Sequence, residues 1–283
     1  MNNFRQLVSI SYPLLRMWNY SFNNKPFGQL RVLIFHGIMP NQEKRLAIII
    51  KWLSKSWNFV SPKDFESMLS VSKPILGNNL LLSFDDGFIS NRKIADKILN
   101  PMGIPALFFV VSDFIEIKNQ RESKEFALKN MYNGNDNNND LNIEQNMSWS
   151  DLKTLVKDGH TIGAHTKTHA RLSDISKPIN LKEEIVNSAN TIEQRVGVEI
   201  SHFAFTFGDL QSMSRKSLLE ACNRFKYIHT GLRGNNSNNV SKYAIRRDPI
   251  NLNDSLWMIG SLLEGAVDWR YKKNLIEYES WLK

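Results

Sequence analysis

Apolar positions in this chain fall into two alternating rhythms. Short apolar runs at 31–35, 80–84, 106–111 and 201–207 read as buried strands, with shorter ones at 59–60, 160–164 and 227–230. The run 106–111, Ala-Leu-Phe-Phe-Val-Val, has no polar position, as expected of a parallel strand covered on both faces. Between the runs lie helical segments at 43–56, 63–69, 91–99, 150–156, 181–196 and 214–223. Their ends carry helix signals: Ser61-Pro62 and Ser150 at starts, Gly103 and Gly197 after stops. Strand followed by helix, repeated, predicts a parallel α/β architecture. Polar residues gather where strands end, which favours a (β/α) barrel over an open nucleotide-binding sheet.

The rhythm fails over 116–146, where the polar run 133–140 has nothing to bury; this Asn-rich insertion is expected to be a mobile surface loop. A second Asn-rich stretch, 235–239, is also expected to be a loop. With 283 residues and 42% hydrophobic content, the chain suits one domain over 1–283, preceded within it by a distinct segment, 1–28. That segment sets Leu7, Leu14, Leu15, Met17 and Trp18 beside Arg5 and Arg16. It either packs on its own domain or lies on a bilayer surface as an amphipathic helix. It lacks the continuous apolar stretch of a signal peptide or a membrane span, so the expectation is a cytoplasmic protein, with contact at the inner membrane face left open.

A net charge of +8 suits anionic surfaces, yet the cations are scattered and form no run that would track phosphates, so nucleic acid is not expected as a partner. The lone Cys222 can form neither an internal disulfide nor a thiolate zinc site.

Two stretches carry chemistry. Ser83-Phe84-Asp85-Asp86-Gly87 follows the apolar run 80–82, so a buried strand delivers two carboxylates to an open edge and then turns. About eighty residues later, His165-Thr166-Lys167-Thr168-His169 presents two imidazoles four apart, close enough to reach one ion. One aspartate and two histidines leave a tetrahedral cation with an open position, the arrangement of a catalytic rather than a structural site.

Phe-Asp-Asp-Gly at 84–87 and His-Thr-x-x-His at 165–169 resemble the first two motifs of the polysaccharide deacetylase (NodB-homology) family, carbohydrate esterase family four. Supporting context includes Gly163-Ala164, Leu172, Glu184-Ile185 with Ser188, and Phe203-Ala204-Phe205-Thr206-Phe207-Gly208. The resemblance implies a distorted (β/α) barrel and hydrolytic removal of N-acetyl groups from an amino sugar of a bacterial surface polysaccharide or its lipid-linked precursor. It implies a divalent metal, Zn2+ first, with Co2+ or Mn2+ as alternatives. Asp86, His165 and His169 would bind the metal and Asp85 would be the general base. An acetamide is a poor electrophile, so a cation must polarise it while a separate carboxylate takes the proton of the attacking water.

Two departures stand out. The family's late Leu-His motif is missing. His36, in a Phe35-His36 strand end similar to one in the poly-N-acetylglucosamine deacetylase branch, is the candidate acid, ahead of His202 and His229. The third motif lacks its arginine and proline, having Phe203 and Thr206 instead. Arg247 then matches where that branch places an arginine to orient Asp85, with Arg246 as the alternative; Phe207 would wall the sugar site. Trp149, Trp257 and Trp269 offer flat surfaces for sugars, although packing is the commoner use of tryptophan, and His160 reads as structural. An inactive glycan-binding or assembly protein on the same fold is the competing expectation.

Overall fold

The structure is a computed structural model and describes residues 3–21, 28–132, 145–237 and 240–283. Eight parallel strands form one sheet: β1 (Gln29–Phe35), β2 (Asn58–Phe59), β3 (Asn78–Phe84), β4 (Leu107–Val110), β5 (Thr161–Ala164), β6 (His202–Ala204), β7 (Tyr227–His229) and β8 (Asp248–Pro249). Their spatial order is β7-β6-β5-β4-β3-β1-β8. The segment 245–249 closes the curl, because Ile245 bridges His229 of β7 while Asp248 and Pro249 pair with Leu33 and Ile34 of β1. The result is a distorted (β/α) barrel, as expected. Its distortion sits at β3, whose edge away from β1 is shared: β2 pairs at Asn79 and Leu80, β4 only at Ser83 and Phe84.

Alternation along each strand separates two cores. Leu30, Val32, Leu81, Leu107, Phe109, Ala204 and Ile245 fill the barrel together with Phe65 and Met68 of the helix Pro62–Leu69. Leu33, Phe35, Leu80, Leu82, Phe84, Phe108 and Val110 face outward onto the helices, where Leu46, Ile49, Ile50 and Leu53 of the helix Glu43–Leu53 meet them. Cβ-free Gly163 lets Phe109 occupy the interior, since a Cβ there would lie 2.6 Å from that ring.

Several sequence expectations need correction. The insertion 116–146 is not simply a loop: the helix Gln120–Asn130 lies in it, capped by Asn119. Its polar core at 133–140 lies outside the described residues. The cap of the helix Trp149–Lys157 is Ser148 in a capping box with Asp151, rather than Ser150. The stretch 235–237 is loop backbone, as expected, but it is packed down rather than free, and 238–239 lie outside the described residues. The Asn235 side chain accepts from Leu30 N–H, and that of Asn236 donates to the Leu30 and Arg246 carbonyls, lacing the stretch to β1. The helices Leu256–Leu263 and Lys272–Ser280 had no counterpart in the sequence reading. No described helix is long and apolar enough to cross a membrane.

In β8, Asp248 is fully buried between Arg31 and Arg233, with Asp268 completing the cluster on Arg31. These ion pairs fix the start of β8, one residue from Arg247. His160 is structural: Nδ1 accepts from Ala106 N–H at 3.0 Å and Nε2–H donates to Asn100 Oδ1 at 2.8 Å. Burial pushes its pKa down to about 4, against the pull of Asp158. Its ordinary value is near 6.5, so the unfolded chain binds this proton more readily between the two. Stability present above pH 6.5 is therefore lost as pH falls toward 4. Urea unfolding across that range is expected to show a steeper decline for the wild type than for His160→Gln, by roughly one proton.

Candidate active site and metal centre

Adjacent residues on a strand point to opposite faces, so Asp85 and Asp86 would diverge if β3 simply continued. They do not, because Asp86, the second residue past the strand, takes a left-handed backbone, φ 78°. Asp85 keeps the inward phase of Leu81 and Ser83, Asp86 is swung back beside it, and Gly87, φ 94°, completes the turn. A side chain at Gly87 would meet Ile115 at 2.9 Å. Thr166, His169 and Phe207 are also left-handed, at φ 63°, 62° and 62°. Four of the five described non-glycine residues with positive φ thus belong to this site, as strain held by surrounding structure often does.

The restraint on the second motif is visible. The Glu184 carboxylate accepts from Lys167 N–H at 3.0 Å, Thr168 N–H at 2.9 Å and the Thr168 hydroxyl at 2.8 Å. Ser188 Oγ donates to the Thr166 carbonyl at 2.8 Å. Glu184 lies in a π-helical turn, Glu183–Asn187, a distortion frequent near functional sites.

This frame brings Asp86, His165 and His169 together, all buried, with one ligand atom from each within 4.8 Å of the others. Asp86 Oδ1 lies 3.6 Å from His165 Nε2 and 3.4 Å from His169 Nε2, and it is buried without a hydrogen-bond partner. Each imidazole is oriented from behind. His165 Nδ1–H donates to the Ala204 carbonyl at 2.8 Å and His169 Nδ1–H to the Asn130 carbonyl at 3.0 Å. Both Nε2 lone pairs are left facing the carboxylate, which is the tautomer and support that metal-bound histidines use. Asn130 comes from the helix in the insertion, a contribution that sequence reasoning missed because a carbonyl has no side-chain signature.

Electrostatics agree with a cation site. Burial alone would raise the Asp86 pKa, but the imidazoles of His169, His36 and His165 hold it well below the usual carboxylate range. Burial pushes His165 down to about 4, outweighing Asp85, so it is neutral and able to ligate. Burial would also lower His169, but neighbouring Asp86 draws it upward. An orphaned buried carboxylate oxygen facing two imidazole nitrogens fits a divalent metal.

Asp85 lies beside that set, its Oδ2 3.9 Å from His165 Nε2, but its carboxylate is paired with an arginine. Arg247 grips it with both arms, Nη1 to Oδ1 at 2.8 Å and Nη2 to Oδ2 at 3.0 Å, while Arg247 Nε–H donates to the Thr230 carbonyl. Both residues are buried, and the guanidinium lies over Phe109. Arg246, the alternative, turns away to Glu279 and the Asn235 carbonyl. Removing the guanidinium would strand a buried carboxylate. Arg247→Met is expected to lose about 3–5 kcal/mol of stability, measurable by urea denaturation.

The ligands and Asp85 line a cavity of about 230 Å³ with His36, Phe207, Met131, Tyr132 and Arg247. Phe207 and His169 meet edge to face, and the Arg171 guanidinium lies over the Phe207 ring. Thr206 replaces the missing proline by donating its hydroxyl to the Ala170 carbonyl at 2.6 Å, which ties the loop to the end of the second motif. Phe203, where the family's arginine is commonest, is buried against Phe205 and Phe225. His36 is exposed at the mouth, shared between this cavity and an adjoining groove of about 870 Å³. His202 and His229 do not line the cavity. His202 bonds Glu66 at 2.9 Å and His229 at 3.0 Å inside the barrel, and burial drives the His229 pKa well down. Trp149, Trp257 and Trp269 line neither the cavity nor the groove.

Residues 74–225 match the sequence model of the polysaccharide deacetylase family. Among solved structures, IcaB from Ammonifex degensii superposes with a TM-score of 0.67 at 19% identity, covering 84% of this chain and 98% of that one. The Streptococcus pyogenes deacetylase PplD, solved in complex with acetate, gives 0.62 at 17%, covering 83% and 98%. At such identities the likeness concerns the fold. YxkH of Bacillus subtilis strain 168, which carries the polysaccharide deacetylase name, is 21% identical over 187 residues, 64% of this chain. The chain spans 57% of that relative's length.

Proposed function

The chain belongs to the polysaccharide deacetylase family, and we propose that it is a metal-dependent hydrolase of N-acetyl groups on an amino sugar, within a bacterial surface polysaccharide or its lipid-linked precursor. One observation supports this most directly. A carboxylate oxygen and two imidazole nitrogens converge without satisfying one another, while both oxygens of the neighbouring carboxylate are taken up by an arginine.

Asp86, His165 and His169 would hold the cation, Zn2+ being the first choice for an Asp/His/His donor set, and Co2+ or Mn2+ alternatives. Bound there, it would polarise the acetamide carbonyl and make water a competent nucleophile near neutral pH. The residues of the chain do the rest. Asp85 takes the proton of the attacking water, its orientation fixed by the two-armed grip of Arg247. Phe207 and Tyr132 bound the space for the sugar. His36, exposed and lining the cavity, would protonate the departing amine as the acid.

The test is direct. Purified protein with zinc or cobalt, given oligomers of N-acetylglucosamine, should release acetate and free amine in equal amounts. Sugar binding without acetate release would instead favour a glycan-binding or assembly protein, and release only from O-acetyl esters would overturn the amide assignment.

A further inference from the structure

The helices Asn3–Ile10 and Tyr12–Ser21 are nearly one continuous rod. Ser11 N–H bonds the Leu7 carbonyl and Leu15 N–H the Ser11 carbonyl, so helical phase is kept across the break. Pro13, which has no N–H to offer Ser9, accounts for the interruption. The inner face is firmly docked. Val8 packs with Met258 and Leu262, Tyr12 lies against Trp52 and over Gly260, and Asn19 bonds Glu264.

The outer face carries Leu7, Ile10, Leu14, Met17 and Trp18, at helical spacings of three and four. They are 68%, 65%, 66%, 57% and 61% exposed, and Trp257 on the adjacent helix is 50% exposed. Singly exposed apolar side chains are ordinary, but a phased row of five is not. Charge identifies what would cover it. Residues 1–42 contain no aspartate or glutamate, and of their cations Arg31 is buried in its ion cluster and Arg5 pairs with Asp254, leaving Arg16 on the rod facing solvent. Arg16 is exposed beside the row. An apolar stripe next to an exposed cation, on a segment that carries no carboxylate of its own and whose docked side holds the nearby Asp254 and Glu264, suits phosphate-bearing headgroups over acyl chains. The groove that begins at His36 and Pro249, both also lining the metal cavity, reaches Arg5 on this same rod.

We propose that this helical rod lies in the plane of an anionic lipid bilayer, inserting Leu7, Ile10, Leu14, Met17 and Trp18, with Arg16 among the headgroups. The docking does not depend on the deacetylase reading, because lipid binding is measured without turnover.

Flotation of the full chain with vesicles of phosphatidylcholine, alone or mixed with phosphatidylglycerol, tests it. Wild-type protein should rise with the anionic vesicles, and Leu14→Glu/Trp18→Glu should cut that partition by about tenfold or more. Arg16→Gln should weaken it less, and added salt should weaken it further. An unchanged thermal midpoint would show that the double variant folds, as expected for side chains outside the packed face. The proposal is overturned if anionic vesicles fail to carry the protein, or if the double substitution leaves flotation intact. It is equally overturned if lipid-free sedimentation shows a dimer that the substitutions dissolve, since the row would then be an interface between copies.

Discussion

Asp85→Asn should reduce deacetylation kcat by about 10²–10⁴-fold while zinc still binds with wild-type affinity. The separation of these effects comes from the geometry. Asp85 accepts both arms of Arg247 and lies outside the cluster of ligand atoms, whereas Asp86 Oδ1 is the oxygen aimed at the two imidazoles. An asparagine keeps the size and one acceptor but has no basic oxygen pair to receive a proton. Its amide would also present a donor to one guanidinium arm, so a thermal melt should accompany the kinetics. Acetate release and zinc titration on the same folded sample decide the matter. Full turnover in the variant would remove Asp85 from the role of base.

The complementary substitution, Asp86→Ala, should abolish zinc binding and turnover together. Loss of a mere orienting partner behind a metal ligand costs roughly 10–100-fold in affinity, and deletion of a ligand in a three-residue set should exceed that. Asp86 is buried and held ionised by His169, His36 and His165, so its removal also takes away the one anionic donor of the set. Excess zinc should not restore activity to this variant. In the wild type, by contrast, chelation should stop acetate release and added Zn2+ or Co2+ should bring it back. Metal content after dialysis provides a readout apart from activity, and tight zinc binding by Asp86→Ala would sink the ligand assignment.

Much of this was legible in the chain because the relevant signals are local. A run such as Leu80-Leu81-Leu82 before Ser-Phe-Asp-Asp-Gly marks a buried strand and its open end, and the structure has β3 there. The pair His165 and His169 needs only its spacing to be noticed. Other parts had no local signal. The polarity of the insertion hid a helix whose Asn130 carbonyl supports His169. The uniformly apolar strands concealed which residues face the barrel interior, since alternation between two greasy surfaces leaves no pattern.

The sequence alone determined the strand-and-helix succession from β1 to β7 outside the insertion, the residue types able to bind a cation, and the identity of the two motifs, because each is written within a few neighbouring positions. Only the tertiary structure decided which of two adjacent carboxylates turns toward the imidazoles, through a backbone reversal at Asp86 held by packing around Gly87. It also decided that Arg247 rather than Arg246 grips Asp85, a contact across 162 residues. That choice depends on the closure of the barrel by 245–249, where β8 lies against β1 and the phase of the strand end turns one arginine inward and the other out. Contacts between distant segments follow from how the whole sheet curls, and no short stretch of sequence contains that information.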